Sequence, residues 1–447
     1  MFRLPRLRAL DESLSLKFVV PVIMDSCLTI IIGMVVSMVI SSISPSALAA
    51  TGMANTIVTV ILALFSVITS SVSILVARQV GADENKEAAD TIEQSIFLTL
   101  SIGIVLTVLF ILLATPVLKL MMPTAEETLF NEAVRYFRVV MVSMPFYVMW
   151  SAFGGICRAL GNSRMPMVAS IAVNVAQLLF AWLTMSVMGL NEIGAGVSLV
   201  ICRFVGAAVL FVALMKDHRR FVLKVKNMLR PNFATCKRLV RIGLPISFES
   251  SFVQIGYMLA NSMAIALGTF ESGVYQILNT INSFTGVPQG ICSAVAMAAV
   301  GHLLGRKNYK DARKAGWLIW WVGIISGALL GFIAWGFGKP ICGLYSSDPE
   351  TINSSANLIW ILLLMNFTGC SINVIDPQLR VGGDVKWVMT WTLLAVWLIR
   401  LPLTYFMCFH WNMGVLGIYL ANTISLAFRM IVGIIRYCGN KWMFKKV

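Results

Sequence analysis

Two acidic residues stand inside long apolar runs of this sequence, at matching places in its two halves. Asp25 follows Lys17 by eight residues, and Glu249 follows Arg241 by eight residues. At 1.5 Å of rise per helical residue, each carboxylate would lie about 12 Å inside the apolar layer. A charged group there is a functional candidate by default. One negative site that accepts either a coupling cation or a cationic ligand is the physical basis of cation exchange.

A structural role is the alternative for both acids. Each could pair permanently with a buried arginine, or bond to backbone that is opened by the nearby Pro21 or Pro245. Arg203 lies near the centre of the sixth apolar run, where it cannot easily reach water. It could pair with Asp25 in one conformation, screen an anionic group of a substrate, or form a fixed salt bridge.

Several amides are further candidates. Asn55 and Asn279 occupy corresponding places in the two halves, and Asn174 lies in the fifth apolar run. Their side-chain oxygens could bind a cation, and interhelical hydrogen bonding is the alternative. Asn366 is a weaker candidate of the same kind.

The other ionisable groups in apolar runs are expected to be structural. Arg400 and Arg429 lie nearer the ends of their runs, and we expect both side chains to extend to the interface. Asp376 precedes Arg380 by four residues, which favours an ion pair along one helix.

Composition defines the elements that must position these residues. The chain has 447 residues, of which 58% are hydrophobic and 12% charged, with a mean hydropathy of +0.84. These values exclude a soluble globular protein and leave room for about twelve membrane spans. Apolar runs predict twelve helices, with starts near the following positions: 16, 49, 93, 132, 165, 191, 241, 273, 314, 353, 386 and 413.

The net charge of +15 reflects topology and not a nucleic-acid surface. Most of the 35 Lys and Arg residues fall in alternate loops, which by the positive-inside rule predicts that both termini are cytoplasmic. The longest basic stretch lies near the midpoint. We therefore expect an N-terminal six-helix lobe at 1–215, a basic cytoplasmic linker at 216–240, and a C-terminal six-helix lobe at 241–447.

The two lobes repeat each other. Pro21 and Asp25 match Pro245 and Glu249 at an offset of 224 residues. Later landmarks match at offsets of 224 to 222, ending with the strings around Arg158 and Arg380. The strings 124–127 and 347–350 both read as capping boxes that open a helix. A duplicated six-helix unit is typical of transporters that alternate access.

At these landmarks the sequence resembles the multidrug and toxic compound extrusion (MATE) family over almost its whole length. The matching strings are Ser46-Ala-Leu-Ala-Ala-Thr-Gly52, Leu75-Val-Ala-Arg-Gln-Val-Gly81, Cys157-Arg-Ala-Leu-Gly-Asn-Ser-Arg-Met-Pro166 with Asn174, and Ile242-Gly-Leu-Pro245. The resemblance implies twelve helices in two pseudo-symmetric bundles. It also implies export of amphipathic, often cationic, organic compounds by rocking-bundle exchange, driven by inward H⁺ or Na⁺ flow.

The sequence departs from the family at three places. Acids that many members carry in the first, fifth and seventh helices are replaced by Val36, Leu178 and Val253. The coupling chemistry must therefore come from this chain's own residues. Asp25, Glu249, Asn174, Asn55 and Asn279 are the candidates, with Arg203 as an intramembrane ion-pair partner.

We therefore expect an efflux transporter of the inner (plasma) membrane and not an enzyme. It would be a monomer without cofactor or metal, and its partners would be small organic molecules and the lipid bilayer. The alternatives are a flippase for a lipid-linked oligosaccharide precursor and an exporter of one dedicated metabolite. A channel is a further reading, which the paired acids and proline-containing helices disfavour. The nine cysteines are expected to be reduced packing residues.

Overall fold

Helices account for all the regular structure that is described. The computed structural model describes residues 45–121, 127–216, 223, 225–228, 230–346, 348–439 and 441–444. Each regular element in these ranges is helical, and most are long and apolar. The predicted all-α polytopic membrane fold is therefore confirmed.

The first half contains seven labelled helices before the linker. In chain order they are α1 (Pro45–Gly81), α2 (Asn85–Leu112), α3 (Ala114–Met121), α4 (Glu127–Val142), α5 (Met144–Ala159), α6 (Arg164–Trp182) and α7 (Asn191–Lys216). A π-helical segment, Leu183–Val187, continues α6. The linker contains one short turn of helix, Val225–Met228.

The second half repeats this order. It contains α8 (Phe233–Ala266), α9 (Thr269–Thr285), α10 (Val287–Gly305), α11 (Tyr309–Gly336), α12 (Gly338–Cys342), α13 (Pro349–Leu358), α14 (Trp360–Val381), α15 (Val385–Leu394), α16 (Leu401–Tyr405) and α17 (Gly414–Cys438). Two π segments, Ala395–Arg400 and Phe406–His410, flank α16. A 3₁₀ turn, Lys441–Phe444, follows α17.

The helix bounds confirm the internal repeat. The helix α1 and the pair α9–α10 begin and end at the same offset of 224 residues, and so do α2 and α11. The offset is 222 at the starts of α4 and α13, and 223 between the terminal π segments. The segment Ala395–Arg400 is π-helical, whereas α6 is regular over its whole length. A π segment holds one additional residue per turn, which accounts for the change from 222 to 223.

The number of apolar helices agrees with the predicted spans. Eight helices are long and apolar enough to cross a membrane, and the bent pairs α4–α5 and α13–α14 raise this number to ten. The predicted seventh span corresponds to α8, which has 34 residues. The predicted first helix, together with Pro21, Asp25 and Val36, lies outside the described residues.

The chain divides into two compact units, with the boundary between Ser247 and Phe248, inside α8. In the first unit, an apolar core between α1, α3, α4, α5 and α7 includes Phe65, Phe137 and Met144. In the second unit, the corresponding core lies between α8, α9, α14 and α17 and includes Leu278 and Leu362. None of the described cysteines forms a disulfide, and all except Cys438 are buried, as expected.

The linker packs on the first unit through α2. The side-chain amide of Gln94 donates to the carbonyls of Asn227 and Arg230 and accepts from the backbone N–H of Asn232. Asp90 accepts a 2.6 Å hydrogen bond from the Thr235 hydroxyl. Polar side chains of α2 therefore satisfy backbone groups that the irregular linker leaves open.

The cap of α13 differs from the prediction. Its N-cap is Asp348, whose carboxylate accepts from the backbone N–H groups of Glu350 and Thr351. Pro349 occupies the first helical position, where a missing N–H has no consequence. Because Asp caps as well as Ser, the helix starts one residue later than the predicted box. The other predicted box includes Thr124, outside the described residues.

Candidate ion-coupling site

Glu249 lies in a buried cluster of charged residues in the second unit. Its side chain is 4% exposed, and its Oε1 accepts a 2.8 Å hydrogen bond from Nη2 of Arg380 on α14. The same oxygen lies 3.9 Å from Nη2 of Arg429 on α17. Arg429 donates in turn to Oδ2 of Asp376, also at 2.8 Å. The charge cluster therefore consists of Glu249, Asp376, Arg380 and Arg429.

The charge cluster is formally neutral, because two carboxylates face two guanidinium groups. Its four side chains are between 4% and 18% exposed. Water therefore screens these charges weakly, and the loss of one partner leaves an uncompensated charge. Charge-assisted hydrogen bonds of this length are among the strongest in proteins.

One carboxylate oxygen in the charge cluster has no hydrogen-bond partner. Oε2 of Glu249 is buried and receives no hydrogen bond from any described residue. An ionised oxygen in that position is costly, whereas a protonated or cation-bound oxygen would be satisfied. The geometry therefore offers a position for a proton or a small cation beside the Arg380 bond.

Three expectations about the charged residues are wrong. Asp376 bonds to Arg429 and not to Arg380, which donates to Glu249 instead. Arg429 does not extend to the interface, because the two acids hold it inside the unit. Arg400 is only 3% exposed, and its guanidinium lies 3.9 Å from the ring centre of Tyr257.

The amide candidates lie apart from the charge cluster in the contacts of the described residues. Asn55 is exposed, and its Oδ1 accepts a 3.1 Å hydrogen bond from the hydroxyl of Tyr136. Asn279 is also exposed. Asn174 is buried, with its amide 3.5 Å from the hydroxyl of Ser170 on the same helix. The structure therefore assembles no site from the five predicted ligands.

Arg203 is held at the bend between α4 and α5. Its Nη1 donates a 2.6 Å hydrogen bond to the hydroxyl of Ser143, the residue at which the two helices bend by 45°. Its guanidinium also lies 4.8 Å from the ring centre of Tyr147. Arg203 thereby stabilises the bend. Asp25, its predicted ion-pair partner, lies outside the described residues.

A buried polar network occupies the break between α9 and α10. Gln289 donates to Oδ1 of Asn366 at 2.9 Å, and Asn366 donates to the hydroxyl of Thr285 at the same distance. Asn373 donates to Oε1 of Gln289 at 2.8 Å. Asn366, a weaker candidate ligand, is therefore an interhelical hydrogen-bonding residue. Across the described ranges, no group of three or more His, Cys, Asp or Glu is placed to hold a metal ion.

The charge cluster is specific to the second half. At an offset of 222 residues, Asp376 and Arg429 correspond to Gly154 and Ala207, and only Arg380 has a charged counterpart, Arg158. Apolar replacement of these two positions shows that the fold itself does not require the cluster. A charged pair that only one repeat retains is a candidate for function.

Sequence reasoning found Glu249 but missed its partners. The available signal was membrane depth, because Asp376 and Arg380 stand near the end of their helix, as Glu249 does. Depth alone does not give the rotation of a helix about its axis, which decides which side chains meet.

Taken together, a duplicated six-helix unit with buried, compensated charges defines a polytopic transporter fold. The MatE family model matches residues 21–183 and 245–406, which are corresponding parts of the two halves. The chain belongs to this family, the MATE family that its motifs resemble, which confirms the sequence-based identification.

Similar proteins and structures agree with this assignment. The chain is 23% identical over 435 residues to the "probable multidrug resistance protein NorM" of Thermotoga maritima, a match that covers 96% of this chain and 92% of the relative. It is also 23% identical to the "uncharacterized transporter YisQ" of Bacillus subtilis, covering 95% and 94% of the two chains.

Solved structures show the same fold. One of an outward-facing multidrug resistance MATE family transporter has a TM-score of 0.87 at 17% identity and covers 97% of this chain and 96% of its own. Another, a transporter from Pyrococcus furiosus described as having a binding pocket of reversed polarity, has a TM-score of 0.86 at 18% identity, with coverage of 98% and 99%.

Proposed function

We propose that this protein is a secondary active efflux transporter of the plasma membrane. It exchanges inward H⁺ or Na⁺ for outward amphipathic organic compounds by alternating access. Glu249 is its coupling carboxylate in the second half. The observation that carries this proposal is the free Oε2 of Glu249 inside an otherwise paired, neutral charge cluster.

The charge balance of the cluster supplies a mechanism for exchange. With Glu249 ionised, the four side chains are neutral together, because each arginine faces a carboxylate. A proton or Na⁺ on Oε2 would bring the cluster to a net charge of +1 and weaken the bond to Arg380. A cluster with this additional charge disfavours a second cation nearby. The coupling cation and a cationic compound would therefore bind with mutually negative coupling.

Arg429 provides a second position for the same exchange. It lies 2.8 Å from Asp376 and 3.9 Å from Glu249. A small rotation of its guanidinium would move the bond from one acid to the other. The cluster thus has two arrangements that differ in which acid is paired, and a bistable element of this kind is what a bound cation can bias.

The experiment is dye efflux from proteoliposomes under separately imposed proton and sodium gradients. Glu249→Gln is expected to abolish gradient-driven efflux of ethidium, and the gradient that sustains wild-type efflux identifies the coupling ion. Asp384→Asn is the matched control. Asp384 is a buried acid that bonds Arg436 at 2.7 Å in the same unit, outside the charge cluster.

A double variant separates coupling from stability. Glu249→Gln with Arg380→Gln removes one positive and one negative group, so the cluster stays neutral. If Glu249 only stabilises the fold, the double variant should regain efflux; if it binds the coupling ion, efflux should stay absent although the protein is folded. Regained efflux would reject the proposal. Asp25→Asn enters the same assay, since Asp25 remains a predicted coupling residue.

A further inference from the structure

Arg400 is a buried arginine without a carboxylate partner in the part of the chain that the structure describes. It is 3% exposed and stands ten residues inside the end of the apolar span Val385–His410. No ion pair to it is present among these residues, and its Nε has no hydrogen-bond partner there. A charged group in the interior of a membrane span is costly, so its retention calls for a functional reason.

The residues around Arg400 are aromatic and neutral. Its guanidinium lies over the ring of Tyr257 on α8, and it interacts electrostatically with Tyr275 on α9 and Tyr419 on α17. The hydroxyl of Tyr419 is already committed to the carbonyl of Tyr275, at 3.2 Å. The tyrosines therefore leave the positive charge of Arg400 without a counter-ion.

The backbone at Arg400 is also unusual. Arg400 is the last residue of the π segment Ala395–Arg400, whose additional residue separates the two repeats. The related positions in the first half carry the uncharged Gln177 and Leu178. The repeat can therefore be built without this insertion and without an arginine, and π segments occur frequently at functional sites.

The surface above Arg400 is suited to a ligand. Tyr257, which covers the guanidinium, is itself 39% exposed. One turn further along α8, Asn261 accepts a 3.0 Å hydrogen bond from the exposed Gln276 on α9. Exposed polar groups beside an exposed ring on an apolar helix indicate a face that water or a ligand reaches.

We propose that Arg400 and Tyr257 form a recognition site for an anionic group, a carboxylate or sulfonate, on the compounds that this protein exports. The anionic group displaces the ring of Tyr257 and binds the guanidinium through two hydrogen bonds. A charge-assisted bidentate pair replaces a cation–π contact, and the exposed ring of Tyr257 packs against the apolar part of the ligand. The substrate class would then be zwitterionic or anionic amphiphiles. This inference rests on the proposed export function.

The test compares two dyes that differ only in one group. Rhodamine B carries a free carboxylate, and its ethyl ester has the same ring system without that charge. We expect Arg400→Gln to weaken rhodamine B binding to the purified full-length protein by about tenfold, and the ester by less than about twofold. Arg400→Lys keeps the charge but not the bidentate geometry, so an intermediate loss is expected.

Two further variants control the result. Arg306→Gln removes the same charge from an exposed position after α10 and should change the binding of neither dye. Tyr257→Leu should tighten rhodamine B binding, because no ring has to be displaced. The proposal is overturned if wild type binds the ester as tightly as rhodamine B, if it binds neither, or if Arg400→Gln affects both dyes equally or not at all.

Binding and export are measured separately, so the two proposals can fail separately. Binding is measured in detergent without a gradient, and export in proteoliposomes with one. Arg400-dependent binding of rhodamine B without export of either dye would support the anion site and reject the proposed transport function.

Discussion

The guanidinium of Arg380 donates a 2.8 Å hydrogen bond to the carboxylate of Glu249, which lies 131 residues earlier in the chain. This bond joins α8 to α14 inside a unit whose helices are otherwise apolar. Neither residue can lose its charge without consequence for the other, because both are largely buried. The bond therefore connects the stability of the second unit to the ionisation of the candidate coupling residue.

A double-mutant cycle measures this connection. We expect Glu249→Gln and Arg380→Gln each to lower the free energy of unfolding by about 3–5 kcal/mol, because each leaves a buried charge without its partner. The double variant should lose less than the sum of the two by at least about 1 kcal/mol, since it leaves no unpaired charge. Unfolding of the purified protein by SDS titration in mixed micelles gives all four values. Additive losses would mean that the two side chains do not interact.

The second acid of the charge cluster should be less critical. In Asp376→Asn, Arg429 can turn to Glu249, from which it is already only 3.9 Å away, and Oε2 of Glu249 is free to accept its bond. We therefore expect Asp376→Asn to cost about 1–2 kcal/mol less than Glu249→Gln in the same titration. An equal or larger loss would show that Arg429 does not exchange between the acids.

The helices and the repeat could be predicted from the sequence because their causes are local. Bilayer thickness fixes the length of an apolar run, and a duplicated unit preserves spacing. The partners of Glu249 could not be predicted, since Arg380 and Arg429 meet it only through the rotation of α14 and α17 about their axes. For the same reason Asp376 was assigned to the arginine nearest in sequence.

The position of Arg400 shows a different limit. Distance to the end of the apolar run suggested that its side chain would extend to the interface. The π segment at 395–400 inserts one residue, which turns the following side chains by about a quarter of a helical turn. Arg400 then points toward Tyr257 and not toward the end of the helix. Apolar periodicity does not reveal such a segment, although the change in repeat offset marks it.

Close helix packing in the first unit should depend on Gly243. A Cβ at this position in α8 would lie 1.9 Å from the carbonyl oxygen of Val67 in α1. Gly243→Ala must therefore push the two helices apart, and we expect it to cost about 3 kcal/mol or more. Gly273→Ala is the control, because a Cβ there meets no atom within 4 Å.

Since Gly273 lies inside α9, its replacement by Ala should stabilise the protein by up to about 1 kcal/mol. SDS titration of both variants provides the comparison. Similar effects of the two substitutions would mean that backbone entropy, and not the contact with Val67, determines the result.

The cap of α13 should give a pH-dependent contribution to stability from outside the membrane spans. Hydrogen bonds from the hydroxyl and the backbone N–H of Thr351 hold the pKa of the Asp348 carboxyl below its ordinary value of 3.8. A group whose pKa is lower in the folded state stabilises that state fully above its unfolded pKa. The contribution then disappears as the pH falls through the lower, folded pKa. Unfolding temperatures of wild type and Asp348→Asn between pH 7 and about pH 2 test this expectation.

Asparagine is the matched substitution, because it also caps helices but does not ionise in this range. The difference between wild type and Asp348→Asn should therefore be constant above about pH 4 and change in favour of the variant below it. Asp348→Ala, which removes the cap altogether, should be less stable than wild type at neutral pH. A wild-type advantage over Asp348→Asn that persists unchanged to pH 2 would show that the ionised form of Asp348 is not what the helix start stabilises.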